Sequence, residues 1–139
     1  NQQLFVIRAS LEKVLIHKIW QGEESIQLPE NMGRLTFTQI NDVQIEQISQ
    51  LTVNPNLGPI LIRSGGYSAR FRPAGSNHSK PVKQWFKQWK VAPWSRDSVL
   101  LIIQNEQVLG LFIAGCWKIA DKGDIKSVND PQWLITLAY

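Results

Sequence analysis

The chain has 139 residues, among them 15 lysines and arginines against 11 aspartates and glutamates. A chain of this length buries roughly two thirds of its unfolded surface, so its fold requires neither a disulfide framework nor a structural metal. Its net charge of +4 is unevenly spread, because residues 60–96 carry eight basic side chains and no acidic one. The segments on either side each have a net charge of −2. A basic segment between acidic ones indicates one surface directed at an anion, most often nucleic acid.

Cysteine content and hydropathy exclude the disulfide-rich and membrane-spanning classes. The single Cys116 lies in the apolar run LGLFIAGCW and is expected to be a small buried residue in a reducing compartment. No apolar run approaches the ~20 residues of a membrane span, and no signal peptide opens the chain. We therefore expect a cytoplasmic protein with no membrane partner. Because the first residue is Asn1, we expect the chain to be processed or to be a fragment of a longer protein.

The first half of the chain predicts short strands. Residues 4–7 favour a strand, whereas residues 11–20 fit either a strand or a helix. The sequence IQLPENMGRLTF (residues 26–37) contains two apolar stretches separated by a proline-to-glycine turn, which is typical of a β-hairpin. In the polar connector that follows, residues 43–48 alternate as in a short strand.

The basic segment begins with strands. Residues 59–63 predict a short buried strand, and Ser-Gly-Gly at residues 64–66 predicts a turn. Residues 67–72 alternate strictly between apolar or small and polar side chains. Arg70 and Arg72 are therefore expected on the solvent face of one strand.

A short basic amphipathic helix is predicted at about residues 79–90. Ser79 is a suitable N-cap, and Pro81 is tolerated in the first turn. At about 100° per residue, the aromatic and apolar side chains fall on one face and the lysines in a separate band. The apolar face comprises Val82, Trp85, Phe86 and Trp89, and the band comprises Lys80, Lys83, Lys87 and Lys90. A lysine row is usually a solvated face, but the absence of acids in this segment favours an anion-binding role.

A turn with the sequence Pro-Trp-Ser-Arg-Asp (residues 93–97) follows the helix, because Pro93 prevents its continuation. Trp94 could stack on a base or a ribose. We instead expect Trp94, Arg96 and Asp97 to lock the turn, with Asp97 pairing with Arg96 or capping the next strand.

The remainder of the chain predicts most of the core. Residues 99–103 and 108–117, joined by a turn, form an apolar hairpin that is the clearest core element. A polar loop over residues 118–131 and a last strand over residues 132–139 complete the chain. Packing roles are expected for Trp85, Trp89, Trp117 and Trp133.

No motif indicates catalysis. The sequence Ser-Gly-Gly-Tyr-Ser at residues 64–68 is similar to the SGGxDS loop of ATP pyrophosphatases. That loop needs an acid where Tyr67 stands and a helix after it to bind pyrophosphate, whereas a strand is predicted here. His78 is either a phosphate or ribose contact or inert. We therefore expect no catalytic residue, no metal site and no bound cofactor on this chain.

Several ordered motifs together resemble the C-terminal domain of bacterial tRNA(Ile)-lysidine synthetase. They are RFRPAG, a following histidine, KPVKQWFKQWKVAPWSRD and VLLIIQNEQVLGLFIAG, with IQLPENMGRLTF at the expected distance upstream. The resemblance covers about residues 20–115. It implies a mainly β (α+β) domain, a small sandwich or barrel-like sheet of the PheT/TilS-like type with one short basic helix. Residues 1–139 would be a single C-terminal domain, with residues 1–20 as an alternative lead-in from a preceding domain.

The resemblance also implies a function. The full-length enzyme would use ATP, with magnesium, in an N-terminal ATP-pyrophosphatase domain to join lysine to the wobble cytidine of an isoleucine tRNA. This chain would grip the acceptor stem of that tRNA. The residues expected to contact RNA are Arg70, Arg72, His78, Lys80, Lys83, Lys87, Lys90 and Arg96, with Pro93, Trp94 and Asp97 as structural residues of the turn. The alternative is a protein-protein docking or oligomerisation domain, and a homodimer of the full-length enzyme is left open.

Overall fold

The computed structural model describes residues 5–8, 14–29, 32–40, 51–113, 115–120 and 132–138. Within them the fold is mainly β with one short α-helix, as predicted. No helix in these ranges is long and apolar enough to cross a membrane. The strands are β1 (Phe5–Arg8), β2 (Val14–Ile19), β3 (Ser25–Gln27), β4 (Arg34–Ile40), β5 (Leu51–Val53), β6 (Ile60–Ser64), β7 (Arg70–Phe71), β8 (Lys80–Pro81), β9 (Leu100–Gln104), β10 (Gln107–Ile113), β11 (Cys116–Ile119) and β12 (Gln132–Ala138). The helix α1 spans Val82–Gln88, and 3₁₀ segments span Pro55–Leu57 and Pro93–Ser98.

Two antiparallel sheets form the framework. The larger has six strands in the order β1-β2-β6-β9-β10-β11, and the smaller has four in the order β3-β4-β12-β5. Among the described strands, β7 and β8 pair only with each other, as a separate two-stranded hairpin. Strands far apart in sequence are neighbours in each sheet, so the hydrophobic pattern alone does not determine their order.

The larger sheet is buried on both faces at its centre. Leu100 and Ile102 of β9 belong to a core shared with the smaller sheet, whereas Leu101 and Ile103 belong to a core shared with α1. Side chains alternate between the two faces of a strand, so a strand covered on both sides is apolar at every position. This double covering accounts for the unbroken run VLLII. The domain therefore has three layers, with the smaller sheet on one side of the larger one and α1 with the β7–β8 hairpin on the other.

Most strand predictions are confirmed. The two stretches of IQLPENMGRLTF pair as β3 and β4, and residues 14–19 within the undecided segment form a strand. The apolar hairpin is β9–β10, with Asn105 and Glu106 at positive φ (52° and 65°) as a two-residue turn of this kind requires. The last strand is β12. The strand predicted at residues 43–48 lies outside the described residues.

Three predictions that concern residues 65–72 and 116–119 are wrong in extent or burial. The strand expected over residues 67–72 is reduced to Arg70–Phe71, because residues 65–69 turn toward α1. The loop expected from residue 118 starts later, because Lys118 and Ile119 belong to β11. Cys116 is exposed, since the apolar run turns at Gly115 and Cys116 begins an edge strand.

A buried ion pair supports one end of the larger sheet. The Lys18 ammonium on β2 lies 2.7 Å from the Glu23 carboxylate, and both side chains are 4 % exposed. The second carboxylate oxygen of Glu23 accepts a hydrogen bond from the Gln21 backbone N–H at 2.5 Å. Burial acts to raise the pKa of Glu23, but the hydrogen bonds from Lys18 and the backbone outweigh it, so the pKa lies below its ordinary value of 4.5.

The depressed pKa of Glu23 predicts an acid-sensitive contribution to stability. A carboxylate with a lower pKa in the folded state stabilises the fold fully above its unfolded pKa. The contribution is lost as pH falls below about 4.5 and through the folded pKa. The urea midpoint, measured between pH 7 and pH 3, should therefore fall more steeply for the natural chain than for a Lys18→Met/Glu23→Gln variant. Equal slopes for the two proteins would contradict this prediction.

Candidate functional site

The helix α1 starts later than the sequence predicts, and the reason is local. The first N–H groups of α1, those of Val82 and Lys83, donate to the carbonyls of Ala69 and Tyr67 at 2.8 and 3.0 Å. These bonds satisfy donors that a side-chain cap usually satisfies. Ser79 is therefore not the N-cap, and Lys80 lies in β8 before the helix.

The aromatic face of α1 fixes the helix to the larger sheet, as predicted. Val82, Trp85 and Phe86 are buried, and the Trp85 indole N–H donates to the Phe71 carbonyl at 2.7 Å. The Tyr67 ring meets Phe86 edge-on at 5.0 Å. Because α1 has only seven residues, this packing and not helix propensity holds it in place.

The end of α1 places Lys90 in an unusual conformation. The Val91 N–H donates to the Phe86 carbonyl and the Lys90 N–H to the Lys87 carbonyl, the hydrogen-bond pattern of a Schellman motif. Lys90 occupies the left-handed position of this motif with φ 56°, where glycine is the usual residue. The predicted helix is therefore too long at this end as well, and Lys90 projects from the turn after it.

The solvent face of α1 carries Lys83 and Lys87. They are one helical turn apart, so they lie on the same side of the helix, and both are exposed. The sequence between residues 60 and 96 contains no acidic residue. Gln84 and Gln88 are exposed beside them and offer further hydrogen-bonding groups.

One flank of α1 consists of two stacked indoles and two lysines. The rings of Trp85 and Trp89 stack with centroids 5.4 Å apart. The Lys80 ammonium lies 4.7 Å from the centre of the Trp85 ring and also donates to the Gln88 side chain at 3.2 Å. The Lys118 ammonium lies 5.2 Å from the centre of the Trp89 ring. These cation–π contacts hold two positive charges against the helix.

Lys118 is not predicted from the sequence to belong to this site. It lies on β11, outside the basic segment, and the sheet brings this edge strand next to α1 and the loop before it. The same loop is tied to β11 through the Ala74 N–H, which donates to the Ile119 carbonyl at 2.8 Å. Because Lys118 is far from α1 in the sequence, the sequence alone does not indicate that the two are neighbours.

The hairpin before α1 adds two arginines and a histidine. Arg70 and Arg72 are exposed, as predicted, and the Arg70 guanidinium donates to the Ser79 carbonyl at 2.6 Å. His78 is exposed in a turn in which its own N–H donates to the Ser76 hydroxyl at 3.1 Å. The Arg70 bond holds the start of β8 against β7.

The 3₁₀ segment Pro93–Ser98 differs from its prediction at Trp94, and the role expected of Asp97 stays a prediction. The Arg96 guanidinium donates to the Val91 carbonyl at 2.9 Å and so helps to hold the turn, as expected. Trp94 is 85 % exposed, so its side chain does not lock the turn by packing. A role for Arg96 in RNA contact stays a prediction.

A hydrogen bond of Tyr67 connects the segment before α1 to Val99, the residue that follows this 3₁₀ segment. Its hydroxyl donates to the Val99 carbonyl at 2.7 Å. Burial, as the main cause, raises the pKa of Tyr67 to about 12. The hydroxyl therefore remains a donor across the physiological pH range, and this connection does not titrate there.

Together these elements present a cluster of cations on the layer formed by α1 and the β7–β8 hairpin, and on the adjacent edge strand β11. We refer to this cluster as the basic surface, and it comprises Arg70, Arg72, Lys80, Lys83, Lys87, Lys90 and Lys118. Within the described residues, no group of three or more histidine, cysteine or acidic side chains is arranged to hold a metal ion.

Within the described residues, the chain is a layered β domain of two sheets that carries one short helix and the basic surface. Residues 60–129 match the family model described as TilS substrate C-terminal domain. The match covers half of the chain, so the chain belongs to this family.

Known proteins support this assignment. The chain is 27 % identical over 111 residues to a tRNA(Ile)-lysidine synthase of Nitrosomonas europaea and 25 % identical over 114 residues to one of Serratia proteamaculans. Each match covers 80 % of this chain but only 23 % and 24 % of the relatives. A crystal structure of a TilS C-terminal domain has the same fold, with a TM-score of 0.62 and 17 % identity over 83 % of this chain and 91 % of that one. The chain thus spans about a quarter of the length of these relatives.

Proposed function

We propose that this chain is the tRNA-binding domain of an enzyme that joins lysine to the wobble cytidine of an isoleucine tRNA in an ATP-dependent reaction. The observation that carries the proposal is the basic surface, which lies on three neighbouring elements without an acidic residue among them. Family membership and the names of the relatives supply the reaction and the tRNA. The ATP site, the lysine site and the magnesium ion would belong to parts of the enzyme outside this chain.

The chemistry of the basic surface suits the backbone of a folded RNA. Lysines and arginines displace counterions from phosphates and give an affinity that does not depend on base sequence but falls steeply with salt. A-form RNA is recognised mainly through its backbone and 2′-hydroxyls. The basic surface offers several charges spread over a helix and three strands. These properties favour a double-stranded stem of the tRNA, and the resemblance to the family implies that this is the acceptor stem.

The left-handed conformation of Lys90 supports the same proposal. A non-glycine residue in this conformation costs roughly 1–2 kcal/mol, and such costs are concentrated at functional sites. Glycine would relieve the strain but would remove the charge. A lysine at this position is consistent with a use for its ammonium group outside the fold.

The proposal predicts salt-dependent binding of tRNA by the protein. Titration with an unmodified isoleucine tRNA should give an affinity that exceeds that for a DNA duplex of similar length and falls by orders of magnitude between about 50 and 200 mM salt. The measurement is fluorescence anisotropy at two salt concentrations, with the DNA duplex as competitor. Absence of binding at low salt, together with a mass that rises with protein concentration, would contradict the proposal and favour a protein-docking or oligomerisation domain.

A further inference from the structure

Trp94 is the most exposed large apolar side chain in the described part of the chain. It is 85 % exposed, whereas Ile19 and Leu57 are 50 % and 57 % exposed. A tryptophan usually contributes to a fold by burying its large ring, so this one contributes little. The conformation of the turn that carries Trp94 leaves its indole exposed to solvent.

That turn is held together without the Trp94 indole. Pro93 fixes its own φ, and the Ser95 N–H donates to the Ala92 carbonyl at 2.9 Å. The Arg96 guanidinium and the Ser98 hydroxyl add bonds to the carbonyls of Val91 and Ser95 at 2.9 and 3.1 Å. The backbone at Trp94 is therefore ordered before any partner arrives, and a rigid aromatic group loses little conformational entropy on binding.

The turn that carries Trp94 comes soon after Lys90 of the basic surface in the chain. Trp94 follows Lys90 by four residues, so their Cα atoms are at most about 14 Å apart. The indoles of Trp85 and Trp89, which lie nearby, are stacked on each other and contact the ammonium groups of Lys80 and Lys118. Trp94 is thus the indole in this part of the chain that presents a ring to solvent.

We propose that Trp94 stacks on an unpaired nucleotide next to an RNA duplex held by the basic surface, an inference that rests on the proposed function. The bases inside a duplex cover one another, and the major groove of A-form RNA is too deep and narrow for side chains. A protruding indole can therefore stack only on a base that is unpaired or at a duplex end. Phosphate contacts do not determine where along a duplex the protein binds, whereas a stacked base does. Trp94 would place the domain at a junction of double- and single-stranded RNA.

The test uses two RNA hairpins with the same stem, closed by a non-nucleotide linker so that no loop base is unpaired; one is blunt and the other has a short 3′ overhang. The natural protein should bind the hairpin with the overhang more tightly. Trp94→Ala should lose roughly 5- to 100-fold in affinity for that hairpin, the usual range for one base–aromatic stack, and should lose clearly less for the blunt hairpin, which has no unpaired base. Trp94→Phe should recover most of the loss, because it keeps an aromatic face. A 2-aminopurine in the overhang should lose fluorescence on binding to the natural protein but not to Trp94→Ala.

The controls distinguish failure of this inference from failure of the proposed function. Lys83→Ala/Lys87→Ala should weaken binding of both hairpins by the same factor. If Trp94→Ala leaves both affinities unchanged, or lowers both equally, while the double lysine variant weakens them, the stacking inference is overturned and the RNA-binding proposal stands. If the natural protein binds neither hairpin at low salt, both are overturned. Because Trp94 is exposed, the variant should keep the thermal midpoint of the natural protein, which excludes misfolding as the cause.

Discussion

Replacing Lys18 with methionine is expected to lower the free energy of unfolding by about 3–5 kcal/mol, the usual cost of removing one partner from a buried ion pair. The two side chains are each 4 % exposed, and the carboxylate of Glu23 would remain in the interior with one backbone donor. Methionine matches the length of the lysine stem, so the loss reflects the unpaired charge and not a cavity. Urea unfolding at pH 7 measures it.

The double variant Lys18→Met/Glu23→Gln serves as the control. It removes both charges, so no uncompensated ion is buried, and pairs replaced in this way are often nearly neutral in stability. We expect it to recover most of the loss of the single variant. Arg34→Gln, at an exposed position on β4, should change stability by less than about 0.5 kcal/mol. A double variant as unstable as Lys18→Met would show that the packing of the lysine stem, and not the charge, is what matters.

This ion pair shows what the sequence does not reveal. Lys18 stands in an apolar stretch that fits a strand or a helix, and its burial depends on the register of β2 against β6. A shift of one residue would turn the same side chain to solvent. The local sequence pattern predicts that a strand is present, whereas pairing with the neighbouring strand determines which face of that strand is buried.

The hairpins and the aromatic face of α1 were predictable because each depends on a local pattern. The β9–β10 hairpin combines two apolar runs with a two-residue turn, and the spacing of Val82, Trp85 and Phe86 matches one helix face. The limits of α1 were not predictable. They depend on the carbonyls of residues 67 and 69 at one end and on the Lys90 turn at the other.

Two residues of the candidate site illustrate the same limit. Lys118 reaches the basic surface because β11 is the edge strand next to β10, a neighbour relation fixed by the sheet and not by sequence distance. Trp94 occurs in a Pro-Trp-Ser-Arg-Asp turn in which Arg96 makes the holding bond. The sequence contains both aromatic and basic residues there and does not indicate which one supports the turn. The rest of the basic surface is predictable from the sequence, because its other cations all fall within the acid-free residues 60–96.

Removing the exposed lysines of α1 and the following turn should have the largest effect on RNA affinity. We expect Lys83→Ala/Lys87→Ala/Lys90→Gly to bind an isoleucine tRNA on the order of 100-fold more weakly near physiological salt, because three phosphate contacts are lost. The slope of log affinity against log salt should decrease in magnitude by about 2–3. Lys83 and Lys87 are exposed on one side of the helix, and their replacement by alanine leaves its buried aromatic face intact. Anisotropy titrations at three or more salt concentrations measure both quantities.

The free energy of unfolding is the control measurement, because it distinguishes the loss of RNA contacts from damage to the fold. Lys90→Gly places glycine, the preferred residue, at a left-handed position. We expect the free energy of unfolding to stay unchanged or to rise by up to about 1 kcal/mol, because the greater entropy of glycine in the unfolded chain offsets part of the relieved strain. The triple variant should therefore bind RNA more weakly without being less stable. Lys83→Arg/Lys87→Arg keeps the charges and should keep the affinity and the salt slope, and Arg34→Gln should change neither. An unchanged salt slope in the triple variant would mean that these lysines are a solvated face and that the RNA, if bound, lies elsewhere.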